Sequence, residues 1–167
     1  MSQRIEPDAI PTPVVTRRMA IQPGWIDYNG HLNMAYYHVL FDHGVDEAFL
    51  LFGLGPDYVK TRNASFFTLE AHVCYLRELS LEDPVQVRFR LLNHDAKRAH
   101  IFMELVQADE GWLAATLEMM SIHVDMAAKR SSPWPAEVAA RMAAMLSAHA
   151  ALPRPEQAGR KIGIRRN

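Results

Sequence analysis

The chain has 167 residues, 49% of them hydrophobic and 22% charged, a composition that fits one globular domain and excludes a disordered chain. The formal net charge of −1 leaves no broad basic field for nucleic acid or an anionic membrane, so we expect neither as a partner. The single cysteine, Cys74, excludes an intrachain disulfide and fits a reducing compartment, so the predicted location is the cytoplasm.

The N-terminal stretch, residues 1–13, is interrupted by prolines and shows little pattern, so we predict a loose lead-in. It has no apolar core of the kind that a signal peptide needs. No segment of the chain approaches the roughly 18 consecutive apolar residues of a membrane span. Val14 to Gln22 follows as a candidate first strand, closed by the turn residues Pro23 and Gly24.

The stretch GWIDYNGHLNMAYY, Gly24 to Tyr37, places polar side chains directly before a helix pattern. A carboxylate at Asp27 can attack a carbonyl or activate water, Asn29 can orient either group, and His31 can donate or carry a proton. The simpler interpretation is structural, because Asp-x-Asn-Gly favours a turn and Asn33 is a good helix N-cap. The residue pattern alone leaves both interpretations open and favours the second.

Apolar residues recur at helical spacing from Asn33 onward, and the Gly-x-Gly-Pro segment at residues 53–56 predicts the end of this helix. The polar positions fall four apart and share one face: His38, Asp42 and Asp46. Apolar side chains occupy most of the remaining circumference, which is typical of a helix enclosed by other structure. Gly44 lies in the middle, where glycine costs up to about 1 kcal/mol relative to alanine. We interpret it as a close approach between the helix and a sheet.

Four strand candidates follow, with alternating, β-branched or aromatic segments: Ser65–Leu79, Val85–Asn93, Ala99–Gln107 and Trp112–Asp125. The links SLEDP, NHDAKR and ADEG are short and turn-like, which predicts consecutive antiparallel strands. Residues 136–152 form an alanine-rich helix pattern, and residues 153–167 a basic tail that we expect to be mobile. The predicted fold class is α+β: a single domain with an antiparallel sheet around a long helix, and an extra C-terminal helix. Pairing of its open sheet edge predicts a homodimer or homotetramer.

The segment DYNGHLNMAYY resembles the signature of the hotdog-fold acyl-CoA thioesterases of the 4-hydroxybenzoyl-CoA thioesterase type. It is also similar to the Asp-x-Asn-x-His-x-Asn segment of the plant acyl-ACP thioesterases, which share that fold. The resemblance implies a hotdog domain over residues 14–135 that hydrolyses acyl thioesters. The catalytic residues that it implies are Asp27, Asn29 and His31. The helix N–H groups near Asn33 and Met34 would then polarise the thioester carbonyl.

Two longer segments, EAHVCYLRELSLEDPVQVRFRLLNHDAKRAHIFMEL and AATLEMMSIHVD, resemble the thioesterases of bacterial carnitine catabolism, which hydrolyse betainyl-CoA. The resemblance implies no cofactor, since CoA is part of the substrate, and the sequence shows no convincing metal-ligand spacing. Three alternatives remain open. They are a thioesterase for another short-chain or aromatic acyl-CoA, a hotdog hydratase or dehydratase, and a non-enzymatic acyl-CoA-binding module.

A CoA ester needs cations for its phosphates, and a trimethylammonium group is bound by aromatic faces or carboxylates. For CoA we predict Lys97 and Arg98, with further candidates at Arg77, Arg160, Lys161, Arg165 and Arg166. For the acyl group we predict Trp25, Tyr28, Tyr36, Tyr37, Glu70, Trp112 and Glu118, with Phe66, Phe67 and Tyr75 as further aromatics. Ordinary packing of the aromatics and solvation of the charges explain the same residues, and both interpretations stay open.

Overall fold

The computed structural model describes residues 10–164 and residue 166. Most of the predicted lead-in, residues 1–9, and the candidate cation Arg165 lie outside the described residues. The described residues form three α-helices: α1 (Met34–Phe49), α2 (Pro56–Arg62) and α3 (Ala136–His149). They also form six strands: β1 (Val14–Val15), β2 (Ala64–Tyr75), β3 (Val85–His94), β4 (Arg98–Gln107), β5 (Leu113–Asp125) and β6 (Arg130–Ser131).

The six strands belong to one antiparallel sheet with the order β1-β3-β4-β5-β2, and the short β6 pairs with the end of β5. The predicted α+β class, with a long helix against an antiparallel sheet and an additional C-terminal helix, is confirmed. Pairing of consecutive strands is confirmed for β3, β4 and β5. It is wrong for β2, which pairs with β5 and not with β3.

The link after β2 explains this difference. The predicted strand Ser65–Leu79 ends at Tyr75, and residues 76–84 pass over the start of α1 without forming a hairpin. Leu79 in this link is completely buried, and its carbonyl oxygen accepts a hydrogen bond from the N–H of Leu32 at 2.8 Å. The link is therefore an anchored crossing from one part of the sheet to another, which leaves β2 at an outer edge.

The first strand is shorter than predicted. The candidate Val14–Gln22 reduces to Val14–Val15, followed by an isolated bridge from Met19 to β3. Between them, the N–H of Thr16 donates to the carbonyl of Val87 at 3.0 Å, and Thr16 Oγ1 accepts from the N–H of Val87, also at 3.0 Å. Thr16, directly after β1, thus uses both its backbone and its side chain on the same partner, and regular pairing ends before it.

The helix α1 buries one face against the sheet and leaves the other open. Its buried residues are Tyr37, Leu40, Phe41, Gly44, Val45, Ala48 and Phe49. The close approach predicted at Gly44 is confirmed, since a methyl group there would lie 2.7 Å from Cγ1 of Val87. The predicted enclosure is only partial, because Met34 and Leu50 beside the two ends of α1 are 62% and 59% exposed.

The strand β2 forms a long outer edge of the sheet. Its side chains Phe67 and Leu69 are 51% and 57% exposed, and no strand among residues 10–164 pairs with the open side of β2. A long apolar edge of this kind is a template for pairing with another strand. The exposed ends of α1 and the edge of β2 are thus both available for contact with a second molecule.

The C-terminal part of the chain begins with α3, which packs Val138, Met142 and Met145 into the main core. The helix ends at His149, earlier than the predicted end at Leu152. The C-terminal segment, residues 150–164, then runs across the face of the sheet opposite to α1, which we call the outer face. Mobility of the tail stays a prediction. None of the helices in the described part of the chain is long and apolar enough to cross a membrane.

Candidate active site

The polar motif forms a tight hairpin immediately before α1. Ile26 and Leu32 make an isolated antiparallel bridge at its base. Inside it, the N–H of Asp27 donates to the carbonyl of His31 at 3.0 Å, and the N–H of Gly30 donates to the carbonyl of Asp27 at 3.0 Å. Gly30 has a φ of 80°, a left-handed conformation that glycine adopts without strain. The hairpin therefore fixes Asp27 and His31 opposite each other at the start of the helix.

The carboxylate of Asp27 is held by the hairpin itself. Its Oδ1 accepts a hydrogen bond from the N–H of Asn29 at 2.8 Å, which is the turn chemistry expected of Asp-x-Asn-Gly. Among the described residues no other hydrogen bond reaches this carboxylate, so Oδ2 is available to water or a substrate. The imidazole of His31 makes no hydrogen bond to Asp27, and the two side chains do not form a catalytic dyad within this chain.

The start of α1 is capped by Asn33. Its Oδ1 accepts from the N–H of Ala35 at 3.0 Å, and its own N–H donates to the carbonyl of Trp25 at 2.9 Å. The backbone N–H of Asn33 is thus already used. The next donor is the N–H of Met34, for which no partner is found among the described residues. A helix N-terminus stabilises negative charge, so the N–H of Met34 is the donor suited to a developing oxyanion.

These elements border one cavity of about 360 Å³, which we call the loop cavity. Its lining residues are Asp27, Asn29, His31, Leu32, Met34, Tyr37, Tyr75, Leu76, Arg77 and Glu78. The predicted catalytic trio and Met34 are therefore brought together. The crossing link after β2 supplies Leu76 and Glu78, which the sequence analysis missed, and Arg77, which it named as a possible CoA contact.

Two tyrosines form the wall of the loop cavity. The rings of Tyr37 and Tyr75 meet edge to face at 5.1 Å, and the hydroxyl of Tyr75 donates to the carbonyl of Met34 at 3.2 Å. Burial raises the pKa of the Tyr37 phenol. A hydrogen bond with the backbone of Leu79 opposes this rise, and the nearby acidic groups Glu78 and Asp27 add to it. Tyr37 therefore places a buried phenol in the wall of the cavity that Asp27 also lines.

The other aromatics predicted for the acyl pocket are not among the residues that line this cavity. Trp25 and Tyr36 stack on each other with ring centroids 5.3 Å apart and an interplanar angle of 12°. The guanidinium of Arg77 lies 3.9 Å from the ring centroid of Trp112, a cation–π contact that links Trp112 to the cavity wall. Tyr28, at the hairpin tip, is 98% exposed and does not line the loop cavity.

The four charged residues predicted to bind the acyl group or CoA also lie away from the loop cavity. Glu70 is exposed on the edge strand β2. Glu118 is on the outer face of the sheet, where its Oε1 lies 2.7 Å from Nε2 of His100. Lys97 and Arg98 are in the β3–β4 hairpin, whose strand register places them about 25 Å along the sheet from Tyr75.

A larger cavity, of about 700 Å³, lies beside the second half of α1 and the start of β2. Its lining residues include Asp42, Asp46, Tyr58 and Phe66 but no residue of the polar motif. Volume alone does not identify a reactive site, and the predicted catalytic residues line the smaller loop cavity. Among the described residues, no group of three or more His, Cys, Asp or Glu side chains is placed to hold a metal ion.

The sequence matches the family described as the thioesterase-like superfamily over residues 21–142. A betainyl-CoA thioesterase from Pseudomonas aeruginosa is 40% identical over 151 residues, which cover 90% of this chain and 95% of that protein. An L-carnitine dehydrogenase/betainyl-CoA thioesterase from Rhizobium meliloti is 36% identical over 87% of this chain and 29% of its own length. The solved structure of a hypothetical protein from Staphylococcus aureus in complex with CoA is similar with a TM-score of 0.84. It is 31% identical, and the match covers 89% of this chain and 94% of that one.

Proposed function

The chain belongs to the thioesterase-like superfamily, and we propose that it hydrolyses betainyl-CoA to betaine and CoA. The observation that carries the proposal is the 40% identity to a betainyl-CoA thioesterase, which extends over 90% of the chain and well beyond the motif. The Rhizobium meliloti relative has a name that joins L-carnitine dehydrogenase to betainyl-CoA thioesterase, which supports a role in carnitine degradation.

The chemistry centres on Asp27. In the first route, Asp27 takes a proton from water while the water oxygen attacks the thioester carbonyl carbon. The C–S bond then breaks, and CoA leaves as a thiolate that recovers the proton. In the second route, the carboxylate itself attacks and expels CoA, and water hydrolyses the resulting mixed anhydride to regenerate Asp27. Both routes yield the same products, and both need one carboxylate oxygen free of the Asn29 hydrogen bond.

The neighbouring groups have supporting roles in this proposal. The N–H of Met34, at the positive end of α1, stabilises the carbonyl oxygen as it gains charge. Asn29 and His31 orient the water and the carbonyl from the hairpin. The protonated phenol of Tyr37 donates a further hydrogen bond in the same cavity. No cofactor is required, since the CoA moiety belongs to the substrate.

The trimethylammonium group of betaine needs aromatic faces, which typically contribute about 0.5–2 kcal/mol each to binding a cation. We assign this role to Tyr37 of the loop cavity and to the stacked pair of Trp25 and Tyr36, which belongs to the same motif but does not line the cavity. Trp112 is a weaker candidate because Arg77 already covers its ring at 3.9 Å. Glu70 is exposed on the open edge strand β2 and does not line the loop cavity, so we assign it no contact with the acyl group.

We further propose that the protein is a homo-oligomer in which the edges of β2 pair. The exposed side chains Phe67 and Leu69 and the ends of α1 at Met34 and Leu50 support this arrangement. Burial of these apolar surfaces would stabilise the pair. The location that we propose is the cytoplasm, where the single unpaired thiol of Cys74 fits a reducing environment.

The test is a thiol-release assay over a panel of acyl-CoA substrates: betainyl, short straight-chain, long-chain and aromatic. We expect the highest kcat/KM for betainyl-CoA. The Asp27→Asn variant should lose about 10²–10⁴-fold in kcat, the usual contribution of a general base, while keeping the same fold by circular dichroism. Asp57→Asn is the matched control, because Asp57 is an exposed carboxylate in α2 outside the loop cavity.

Two results would contradict the proposal at different levels. Full turnover by Asp27→Asn would refute the catalytic assignment, whatever the substrate. A flat profile, or a preference for long or aromatic chains, would refute betainyl-CoA while leaving thioester hydrolysis in place. Hydration of an enoyl-CoA without thiol release would instead indicate a hydratase.

A further inference from the structure

A second cavity, of about 480 Å³, adjoins the loop cavity, and we call it the tail cavity. One side of it is the end of β2 and the first link residue: His72, Val73, Cys74, Tyr75 and Leu76. The other side is part of the C-terminal segment: Arg160, Lys161, Ile162 and Gly163. Tyr75 and Leu76 line both cavities, so the loop cavity with its carboxylate and the tail cavity with its cations share one wall.

The C-terminal segment reaches this position through successive polar contacts with the sheet. The guanidinium of Arg90 on β3 donates to the carbonyl oxygens of Leu152 at 3.1 Å and Pro153 at 2.5 Å. Further along, the N–H of Gly159 donates to Oε2 of Glu118 on β5 at 2.6 Å. Arg160 and Lys161 directly follow Gly159, so the last contact fixes where the two cations enter the tail cavity.

Glu118 on β5 anchors the C-terminal segment to the sheet. Its side chain is only 16% exposed, and a carboxylate buried to that degree is costly unless hydrogen bonds satisfy it. One oxygen pairs with Nε2 of His100 at 2.7 Å, and the other accepts from the N–H of Gly159. The residue predicted for the acyl pocket is thus an anchor for the C-terminal segment.

We propose that Arg160 and Lys161 bind the phosphates of the CoA nucleotide while the thioester end of the same molecule reaches Asp27 across the shared wall. The inference rests on the proposed function, because it assigns the polar end of the same substrate. Arginine and lysine pair strongly with phosphate oxygens, and these two flank the tail cavity on the side opposite to the strand. The long pantetheine arm would then pass over Tyr75 and Leu76.

The hairpin residues Lys97 and Arg98 are the competing candidates, but both side chains already have partners. Nζ of Lys97 donates to Oγ of Ser131 at 3.1 Å. Both Nε and Nη2 of Arg98 contact Oδ2 of Asp95, at 2.7 and 2.5 Å. Oδ1 of the same carboxylate accepts from the N–H groups of Lys97 and Arg98, and the Arg98 guanidinium with these bonds lowers the pKa of Asp95 to about 2. A phosphate at Arg98 would therefore have to compete with a firmly ionised carboxylate.

The first test compares two double variants that each remove two positive charges, Arg160→Ala/Lys161→Ala and Lys97→Ala/Arg98→Ala. Each is assayed with betainyl-CoA and with betainyl-pantetheine, which lacks the nucleotide. We expect the tail variant to raise KM for betainyl-CoA about tenfold, and to leave kcat and the KM for betainyl-pantetheine unchanged. The hairpin variant should behave as the wild type. An unchanged KM in the tail variant, or an equal rise in the hairpin variant, would overturn the inference.

The second test does not depend on turnover. Cys74 is the single cysteine of the chain and lines the tail cavity, so its alkylation by N-ethylmaleimide reports on occupancy. Adenosine 3′,5′-bisphosphate, a thiol-free fragment of CoA, should slow the reaction severalfold in the wild type and the hairpin variant but not in the tail variant. No protection in the wild type would overturn the inference. Protection without thiol release from any acyl-CoA would support the nucleotide site and count against the proposed hydrolysis.

Discussion

Gly44 offers a direct measure of how closely α1 lies against the sheet. A methyl group at this position would lie 2.7 Å from Cγ1 and 2.8 Å from Cβ of Val87. Carbon atoms in favourable contact are about 3.5–4.0 Å apart, so Gly44→Ala places the new methyl inside the repulsive range. The Cβ of Val87 is attached directly to the backbone of β3, so rotation of the side chain cannot move it away.

The net effect is a balance of two opposing terms. In an unhindered helix interior, replacing glycine by alanine stabilises the helix by about 1 kcal/mol. Overpacking of a well-filled core typically costs about 1–3 kcal/mol, and the fixed Cβ of Val87 argues for the upper part of that range. We therefore expect Gly44→Ala to lower the free energy of unfolding by about 1–2 kcal/mol.

The assay is urea unfolding followed by circular dichroism at fixed protein concentration, since any oligomer links stability to concentration. Gly24→Ala is the control, because no atom lies within 4 Å of a Cβ at that position and a change within about 0.5 kcal/mol is expected. Val87→Ala in the Gly44→Ala background should recover part of the loss beyond additivity. A Gly44→Ala variant as stable as the wild type, or one with no coupling to Val87, would refute the reasoning.

Two further predictions concern the helix cap and the C-terminal helix. Asn33→Ala removes the acceptor for the N–H of Ala35 and should lower the free energy of unfolding by about 1 kcal/mol in chemical unfolding. Asn33→Asp keeps a capping oxygen and is the control. Equal losses in both variants would contradict the capping role. Burial lowers the pKa of His149 below its ordinary value, and its Nδ1 accepts from the N–H of Leu91 at 3.1 Å. The unfolded chain therefore binds the proton more tightly, so stability is retained above about pH 6.5 and falls as the pH drops below that value. The fall in unfolding free energy between pH 7.5 and 5.5 should be smaller in His149→Gln than in the wild type, and an equal fall would count against this account.

The hairpin before α1 could be predicted because its information is local. Asp27, Gly30 and Asn33 are neighbours in sequence, and the turn, the left-handed glycine and the helix cap depend only on those neighbours. The strands β3, β4 and β5 were predictable for the same reason, since short links join each to the next. Their register was not predictable in this way, because it shifts between Leu91 and Asn93 and again between Leu105 and Val106.

The remainder of the site depends on contacts between distant segments. Leu76 and Glu78 reach the loop cavity because β2 pairs with β5, which is formed by residues much further along the chain. The local residue pattern does not distinguish β3 from β5 as the partner of β2, because both are apolar strands of suitable length. The role of Glu118 also depends on a distant segment. The sequence shows a carboxylate in an apolar strand, but it does not show that the N–H of Gly159 donates a hydrogen bond to it.

Because β2 pairs with β5, the partner strand of β2 is synthesised late in translation. On the ribosome, β2 emerges before β3 and β4, and the strand that will pair with it within the chain is synthesised after both. During that interval the apolar side chains of β2, including Phe67 and Leu69, have no completed sheet to join. Pairings between segments far apart in sequence form slowly, and unpaired apolar strands aggregate. The nascent chain is therefore most vulnerable between the emergence of Tyr75 and that of Asp125, when chaperone binding would matter most.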